Sequence, residues 1–523
     1  MPTFGAIVVG SGFGGAVAAC RLAEAGERVL VLERGKRWQP AEYPRGPDDE
    51  WVFDPSHPEL HHGWIDLRLF PRIAVVQGAG VGGGSLIYAN ISIPAQRFVF
   101  DSGWPAEITF DELLPHYDTT GHMLDVHELP ASQHSARTKL MRDAAHAIGD
   151  GPRVRALPMA VRFDPDWSYA LPDAHNQAHA KYEDNAFGRR QGTCIHCGSC
   201  DLGCPVAARN TLDLNYLARA EDSGAEIRPL SLVEAIAPEG NGYRLGIRRL
   251  DTGEVASETA TRVILAAGSL GSTELLLRCR DEHQTLPTLS ARLGYGWCAN
   301  GDFLTPALYF DRAVSPTRGP TITTAIDYLD GSDGGHRYFV EDGGFPDVIG
   351  NALRAIFSRD ALGQQIFESW RMALAALARG RDPHTIVMPW FGQAVDENDG
   401  VMRLRRSPFS GRLRLTLDYD VTRSRGVVQA MIDRHKELSA ATGGLPIEPP
   451  SWSWLRYLIT PHPLGGCNMG NSSLDGVVDH TGAVFGYRNL FVIDGSIVPR
   501  ALGLNPSRTI AALAERCMTQ MLA

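Results

Sequence analysis

Four cysteines fall in one short run, Cys194-x2-Cys197-x2-Cys200-x3-Cys204, and Pro205 follows the last. This is the spacing with which bacterial ferredoxins hold iron–sulfur clusters. Tight spacing lets successive thiolates converge on a [4Fe–4S] or [3Fe–4S] cluster, and the proline redirects the chain after the last ligand. In two-cluster ferredoxins the last cysteine serves the other cluster, and no second run exists here. A single cluster therefore takes Cys194, Cys197 and Cys200 with Cys204 or a more distant residue, and His196 is one substitute. Four thiolates also suit tetrahedral zinc. A metal-free loop of inert thiols is the third alternative.

A second chemistry is written in glycine. Gly10, Gly12 and Gly15 form G-x-G-x-x-G, with Phe13 and Gly14 inside the pattern. The apolar run Phe4 to Val9 precedes it as a strand, and Ala16 to Ala25 follows with helical composition. The next strand, Arg28 to Glu33, ends in an acid 23 residues after Gly10. In such a βαβ unit the first glycine allows the tight turn and the second lets a pyrophosphate approach the backbone. The third lets helix and strand pack closely, and the helix N-terminus faces the phosphates. Glu33 suits an unphosphorylated ribose, which points to FAD or NAD rather than NADP.

The elements that complete this site are scattered. Gly78 to Asn90 is a second glycine loop, containing Gly82, Gly83, Gly84 and Ser85; so many glycines let backbone approach something flat or anionic. Arg262 to Gly268 reads as a buried strand ending in a turn, with Ser272 or Thr273 near a helix N-cap. Asn489 to Asp494 is a further strand with an acid at its end. Gly495, Asn505 and Pro506 follow it, then a helix from about Arg508.

Composition narrows the class. Fifty Lys and Arg against 60 Asp and Glu give a net charge of −10, which argues against a nucleic-acid partner. The other five of nine cysteines are scattered, so the chain is no disulfide scaffold. Thr3 to Cys20 lacks a basic leader and is broken by glycines, so a cytoplasmic protein is expected.

Several blocks together resemble the glucose–methanol–choline (GMC) flavoprotein oxidoreductases, and within them the bacterial cholesterol oxidase group. The blocks are GVGGGSL, AAGSLGSTELL, GWCANGD, HPLGGC and the tail YRNLFVIDGSIVPRALGLNPSRTIAALAER. The resemblance implies a Rossmann-type FAD-binding α/β domain interleaved with an α+β substrate-binding cap. The FAD domain is expected at 1–100, 190–300 and 460–523, and the cap at 101–189 and 301–459. It implies bound FAD, with Glu33 on the adenosine ribose, Gly82 to Ser85 beside the flavin, and a backbone contact to adenine near Val233. Asp494 to Pro506 would run along the ribityl chain and ring. Asn90, Gly268, Gly495 and Thr509 are also expected against the cofactor.

By the same resemblance His462 and Asn505 face the reactive edge of the isoalloxazine. Alcohol oxidation removes a hydroxyl proton and passes the carbinol hydride to flavin N5. Histidine suits the proton, and a second polar group must orient the hydroxyl. Glu341, in Tyr338-Phe-Val-Glu341, resembles the family's substrate-domain glutamate, a base near the steroid ring. The following Asp342-Gly-Gly-Phe345-Pro346 departs from the usual apolar context, so a solvated surface glutamate is the alternative. The cysteine run is a departure from the cholesterol oxidase group and resembles GMC dehydrogenases wired through an iron–sulfur centre. Cys298, in GWCANGD, is a further candidate ligand.

The expected activity is FAD-dependent oxidation of a bulky, sterol-like secondary alcohol to a ketone, with O2 or an external carrier as acceptor. The alternatives are a GMC dehydrogenase for another alcohol or sugar, and a flavin-binding electron carrier without substrate chemistry. Apolar residues from Leu353 to Ala378 recur near helical spacing among Arg354, Arg359, Arg371, Arg379 and Arg381. They are read first as cap packing and second as a peripheral membrane contact.

Overall fold

Phe4–Val9 is apolar on both faces, and such a strand is stable only inside a sheet covered on both sides. It lies between Val29–Leu32 and the C-terminal half of Val255–Leu265, parallel to both, with Val8 opposite Val31 and Ile264. Glu226–Arg228 extends this parallel sheet beyond Val29–Leu32. Leu490–Val492 pairs in parallel with the far side of Val263 to Leu265. The first half of the long Val255–Leu265 strand instead pairs antiparallel with Gly242–Arg249, which pairs in turn with Ser231–Glu239. The computed structural model describes residues 2–46, 49–346, 385–407, 411–453 and 456–523. The basic apolar stretch from Leu353 to Arg381 lies outside the described residues. No helix among the described residues is long and apolar enough to cross a membrane.

The helix Phe13–Glu24 packs against Ser507–Leu522 and Tyr216–Asp222. Its first half is small and buried, from Gly14 to Ala19, so neighbouring backbones approach closely. The approach is tightest at Gly14, where an added Cβ would overlap the carbonyl oxygen of Ile493. Gly14 is thus the point at which the first turn and the C-terminal strand touch.

A second sheet of six strands is antiparallel throughout. Its order is Leu445–Pro446, Phe303–Leu308, Val387–Ala394, Tyr338–Asp342, Thr324–Asp327 and Val154–Ala156. Helices Ala136–Ala147 and Arg425–Ala441 pack on it. Tyr338–Asp342 is buried at all five residues, because it is paired on both edges and covered by helices. Burying two adjacent carboxyl groups in such a strand is costly unless each meets polar partners.

Gly14→Ala should therefore destabilise the protein by about 3 kcal/mol or more, the upper end for overpacking. Urea denaturation measures it. Gly26→Ala is the comparison: Gly26 has φ +81 but nothing within 4 Å of an added Cβ, so it should lose only about 1 kcal/mol from backbone strain.

Candidate active site

The two glycine loops meet backbone to backbone, and a Cβ on Gly83 would collide with Gly12. Ser11 fixes the contact. Its hydroxyl accepts from the Gly82 amide at 3.0 Å and donates to Glu33 Oε2 at 2.7 Å, and its own amide donates to the same oxygen at 3.1 Å. Glu33 Oε1 accepts from the Gly35 amide at 2.9 Å and keeps a lone pair. Burial pushes the Glu33 carboxyl upward, and the Gly35 and Ser11 hydrogen bonds oppose this.

Gly12 is the N-cap of Phe13–Glu24, with no side-chain cap and no acid in the first turn. Its free amides and the helix dipole therefore await an anion. A Cβ on Gly12 would meet nothing nearer than 3.9 Å, so the glycine here is not required by protein packing. Gly10, Gly14 and Gly15 differ, each pressed against backbone. An open cradle at the one glycine that a pyrophosphate would cover fits a bound dinucleotide.

The second loop is held from behind by Arg209, which is buried. Its guanidinium donates to Asn90 Oδ1 at 2.8 Å and to the carbonyls of Ser85, Leu86 and Tyr88. Asn90 Nδ2 is buried with no partner. Ser85 Oγ donates to the Gly82 carbonyl at 2.7 Å, and Phe13 sets its ring edge-on to Tyr88. Val233 lies in the outermost strand of the first sheet. Thr509 is buried and shares a hydrogen bond with Tyr117 Oη at 3.0 Å.

Asp494 is fully engaged by protein. It accepts from the Gly268 amide, Ser272 Oγ, the Ser496 amide and Ser496 Oγ. Gly495 in turn receives the Gly465 amide on its carbonyl at 3.0 Å. This bond lays the His462–Gly466 segment along the turn after Asp494.

His462 Nδ1 lies 2.8 and 3.0 Å from the two carboxylate oxygens of Asp302. Thr460 Oγ1 is also bonded to Asp302 and accepts the His462 amide at 2.9 Å. Asp302 is buried; burial raises its carboxyl, and His462 and Thr460 pull it down. With Nδ1–H donated to Asp302, Nε2 is left with its lone pair.

Glu341 is fully buried, so the surface alternative fails. The strands on either side of Tyr338–Asp342 enclose it, and the turn-like Asp342-Gly-Gly begins only after the strand. Gln393 Nε2 donates to Glu341 Oε2 at 3.0 Å, while Glu341 Oε1 has no partner. Burial drives the carboxyl well above its usual range, aided by nearby Asp342 and Asp302 and opposed by the Gln393 and Asn505 amides. Asn505 is buried, and its Oδ1 also lacks a partner. Asn300 joins these pieces: its Oδ1 accepts the Leu502 and Gly503 amides, both at 2.9 Å, and its Nδ2 donates to the Leu504 carbonyl and to Gln393 Oε1. Asn300 and Asp302 both sit in GWCANGD, a block that pointed only to Cys298. Gln393 and Arg209 carry no motif.

All four cysteines of the run line one cavity, whose remaining wall includes Val161, Val206 and Ala208. The two substitute ligands do not line it. Cys298 pairs its backbone with Leu464 in the His462 block. His196 bonds Gln133 through Nε2 at 2.9 Å and stacks on Trp167, with centroids 3.9 Å apart. Among the described residues no three His, Cys, Asp or Glu side chains converge to hold a single metal ion.

The family model for GMC oxidoreductases matches this chain over residues 6–283 and again over 396–514. The chain belongs to the GMC oxidoreductases. GMC oxidoreductases are FAD-binding flavoproteins, and this member is an FAD-dependent oxidoreductase acting on alcohol groups, with a Rossmann-type FAD domain and a substrate cap. It is 30% identical to a cholesterol oxidase of Mycobacterium tuberculosis (strain ATCC 25618 / H37Rv), over 98% of this chain and 90% of that one. It is 28% identical to a cholesterol oxidase of Acinetobacter baumannii, over 98% and 93%. A 2-methyl-1,2-propanediol dehydrogenase of Mycolicibacterium austroafricanum is 25% identical, over 98% and 93%. Among solved structures, pyridoxine 4-oxidase from Mesorbium loti has the same fold, with a TM-score of 0.62, 20% identity and 98% of both chains covered.

Gly12→Ala should leave the flavin-stripped protein as stable as before, within about 1 kcal/mol, yet weaken FAD binding at least about tenfold. Thermal unfolding and flavin titration separate the two effects. Glu341 has a pH signature of its own. Its folded pKa lies above the unfolded value of about 4.3, so its contribution to stability is full below that pH. The contribution drains away as pH climbs to the raised value. Glu341→Gln should therefore flatten the fall in melting temperature from about pH 4.3 upward, and melts across that range check it.

Proposed function

We propose that this GMC oxidoreductase converts a bulky, sterol-like secondary alcohol into its ketone. The observation that carries the reading is a pair of buried oxygens without partners, Asn505 Oδ1 and Glu341 Oε1, the Glu341 carboxyl being close enough to Asp302, the partner of His462, to be shifted by its charge. A buried acceptor left unpaired costs free energy that a ligand donor recovers. A substrate hydroxyl brings one such donor hydrogen and an oxygen that accepts from neighbouring N–H or O–H groups.

Bound FAD supplies the acceptor for the carbinol hydride. Gly10 to Gly15, with Phe13, cradle its pyrophosphate, Glu33 takes the adenosine ribose and the Val233 backbone takes the adenine. Gly82 to Ser85, Asn90, Gly268, Gly495, Pro506 and Thr509 shape the flavin side. Asp494 acts through the turn it holds. Asp302 keeps the His462 ring oriented with Nε2 as acceptor, and Nε2 takes the hydroxyl proton. Asn505 fixes the hydroxyl so that the C–H bond faces the acceptor. Glu341, whose carboxyl burial pushes well above its usual range, adds a second contact to the same oxygen. The sterol-like substrate rests on similarity to cholesterol oxidases over nearly the whole chain. A second reading, a dehydrogenase for another alcohol or sugar, is favoured by the cavity that the four cysteines line.

Anaerobic mixing with 3β-hydroxysteroids should bleach the flavin absorbance. Bleaching by a sugar and by no steroid would sink the sterol reading. His462→Ala should keep FAD bound and slow flavin reduction by about 10²- to 10⁴-fold; an unchanged rate would remove His462 from the chemistry.

A further inference from the structure

We propose that Cys194, Cys197, Cys200 and Cys204 together ligate one [4Fe–4S] cluster, placed between the flavin-side glycine loop and the protein surface. The sequence leaves the fourth ligand open, since the last cysteine of such a run can serve another cluster. In the fold all four line the same cavity. Convergence of four thiolates on a single ion would bring them closer together than the described residues do. A cubane holds its four thiolates further apart, each on its own iron.

The surroundings suit sulfur ligands. The wall is apolar at Val161, Val206 and Ala208. Backbone amides already point at the sulfurs: His196 N–H at Cys194 Sγ, 3.4 Å, and Ala208 N–H at Cys204 Sγ, 3.2 Å. Such bonds tune cluster potentials. Three residues of the run adopt positive φ, His196 at 54°, Gly198 at 72° and Gly203 at 84°, and so wind the chain around the cavity.

Position supplies the function. Arg209 lines the cavity on one side and grips Ser85, Leu86, Tyr88 and Asn90 on the other. Towards solvent, Cys197 and Cys204 are partly exposed, and Arg45 donates to the Leu202 and Gly203 carbonyls beside them. Oxidising one alcohol to a ketone releases two electrons and two protons. The cluster passes the electrons singly, so two molecules of a one-electron redox protein are reduced per alcohol and both protons reach solvent. This electron source rests on the flavin reading above; the metal site itself does not.

The test is the holoenzyme purified without oxygen and assayed for iron, acid-labile sulfide, zinc and flavin, then reduced with dithionite for low-temperature EPR. About four irons and four sulfides per chain and a reduced-cluster EPR signal are expected. Cys204→Ser and Cys200→Ser should lose iron while retaining flavin, and Cys298→Ser should retain iron. Flavin-replete protein with neither iron nor sulfide, even after reconstitution with ferrous iron and sulfide, would overturn the proposal. So would one zinc per chain, or full iron content in both Cys204→Ser and Cys200→Ser. A variant that does not fold leaves the wild-type metal count decisive. Iron and sulfide without flavin would keep the cluster and refute its electron source instead.

Discussion

The buried carboxylate of Asp494 is the constraint on which the site's geometry hangs. It accepts four hydrogen bonds from two separate segments, at Gly268 and Ser272 and at Ser496. Those bonds hold the end of the Val255–Leu265 strand to the end of Leu490–Val492, inside the parallel sheet. Gly495 and Ser269 then each hold Gly465, through 3.0 Å and 2.7 Å bonds. The segment carrying His462 is thus fixed to the same point as the chain leading to Asn505. A buried carboxylate with fewer partners would be a liability; with four it sets positions across more than 200 residues of sequence.

Asn300 does the corresponding work between the two sheets. One side-chain amide reads both the backbone of Leu502 to Leu504 and the Gln393 side chain. Gln393 belongs to a strand of the second sheet and passes the constraint on to Glu341. The spacing between Asn505 and Glu341 is therefore set by a hydrogen-bonded chain rather than by apolar packing alone. Hydrogen bonds have narrow geometric tolerance, so this chain fixes the two groups more tightly than apolar packing would.

What the sequence disclosed follows from how local each requirement is. The glycine fingerprint is legible because a backbone need fixes residue types at short spacing, and Glu33 because it ends the strand that follows. Asp302 is not, because its partner His462 lies 160 residues away. Arg209 meets Asn90 across 119 residues, and nothing near Arg209 announces a buried arginine. Glu341 misled in a different way. Asp342-Gly-Gly has the composition of an exposed turn, yet strand pairing on both edges buries the residues just before it. The family resemblance implied a substrate-domain carboxyl at Glu341 where local composition suggested an exposed one, and its burial reflects tertiary context that composition lacks.

Glu341 and Asp342 are neighbours in one strand, both fully buried, and their different treatment shows how the fold separates structure from function. Asp342 receives the Thr323 and Thr324 amides at 2.7 and 2.8 Å and the hydroxyls of Thr323 and Thr138. Burial raises it, but this donor set and Arg137 oppose the shift. Successive side chains on a strand point to opposite faces, so none of those donors can serve Glu341. Glu341 has one hydrogen bond, from Gln393 to Oε2, and none on Oε1, with the Asn505 amide nearby. Had packing alone selected this position, an apolar residue would fit the strand at lower cost. A carboxyl kept buried, half-satisfied and near the Asp302–His462 pair is explained by a ligand that completes its hydrogen bonding. The same logic applies to Asn505 Oδ1, the other buried oxygen of this pair without a hydrogen-bond partner.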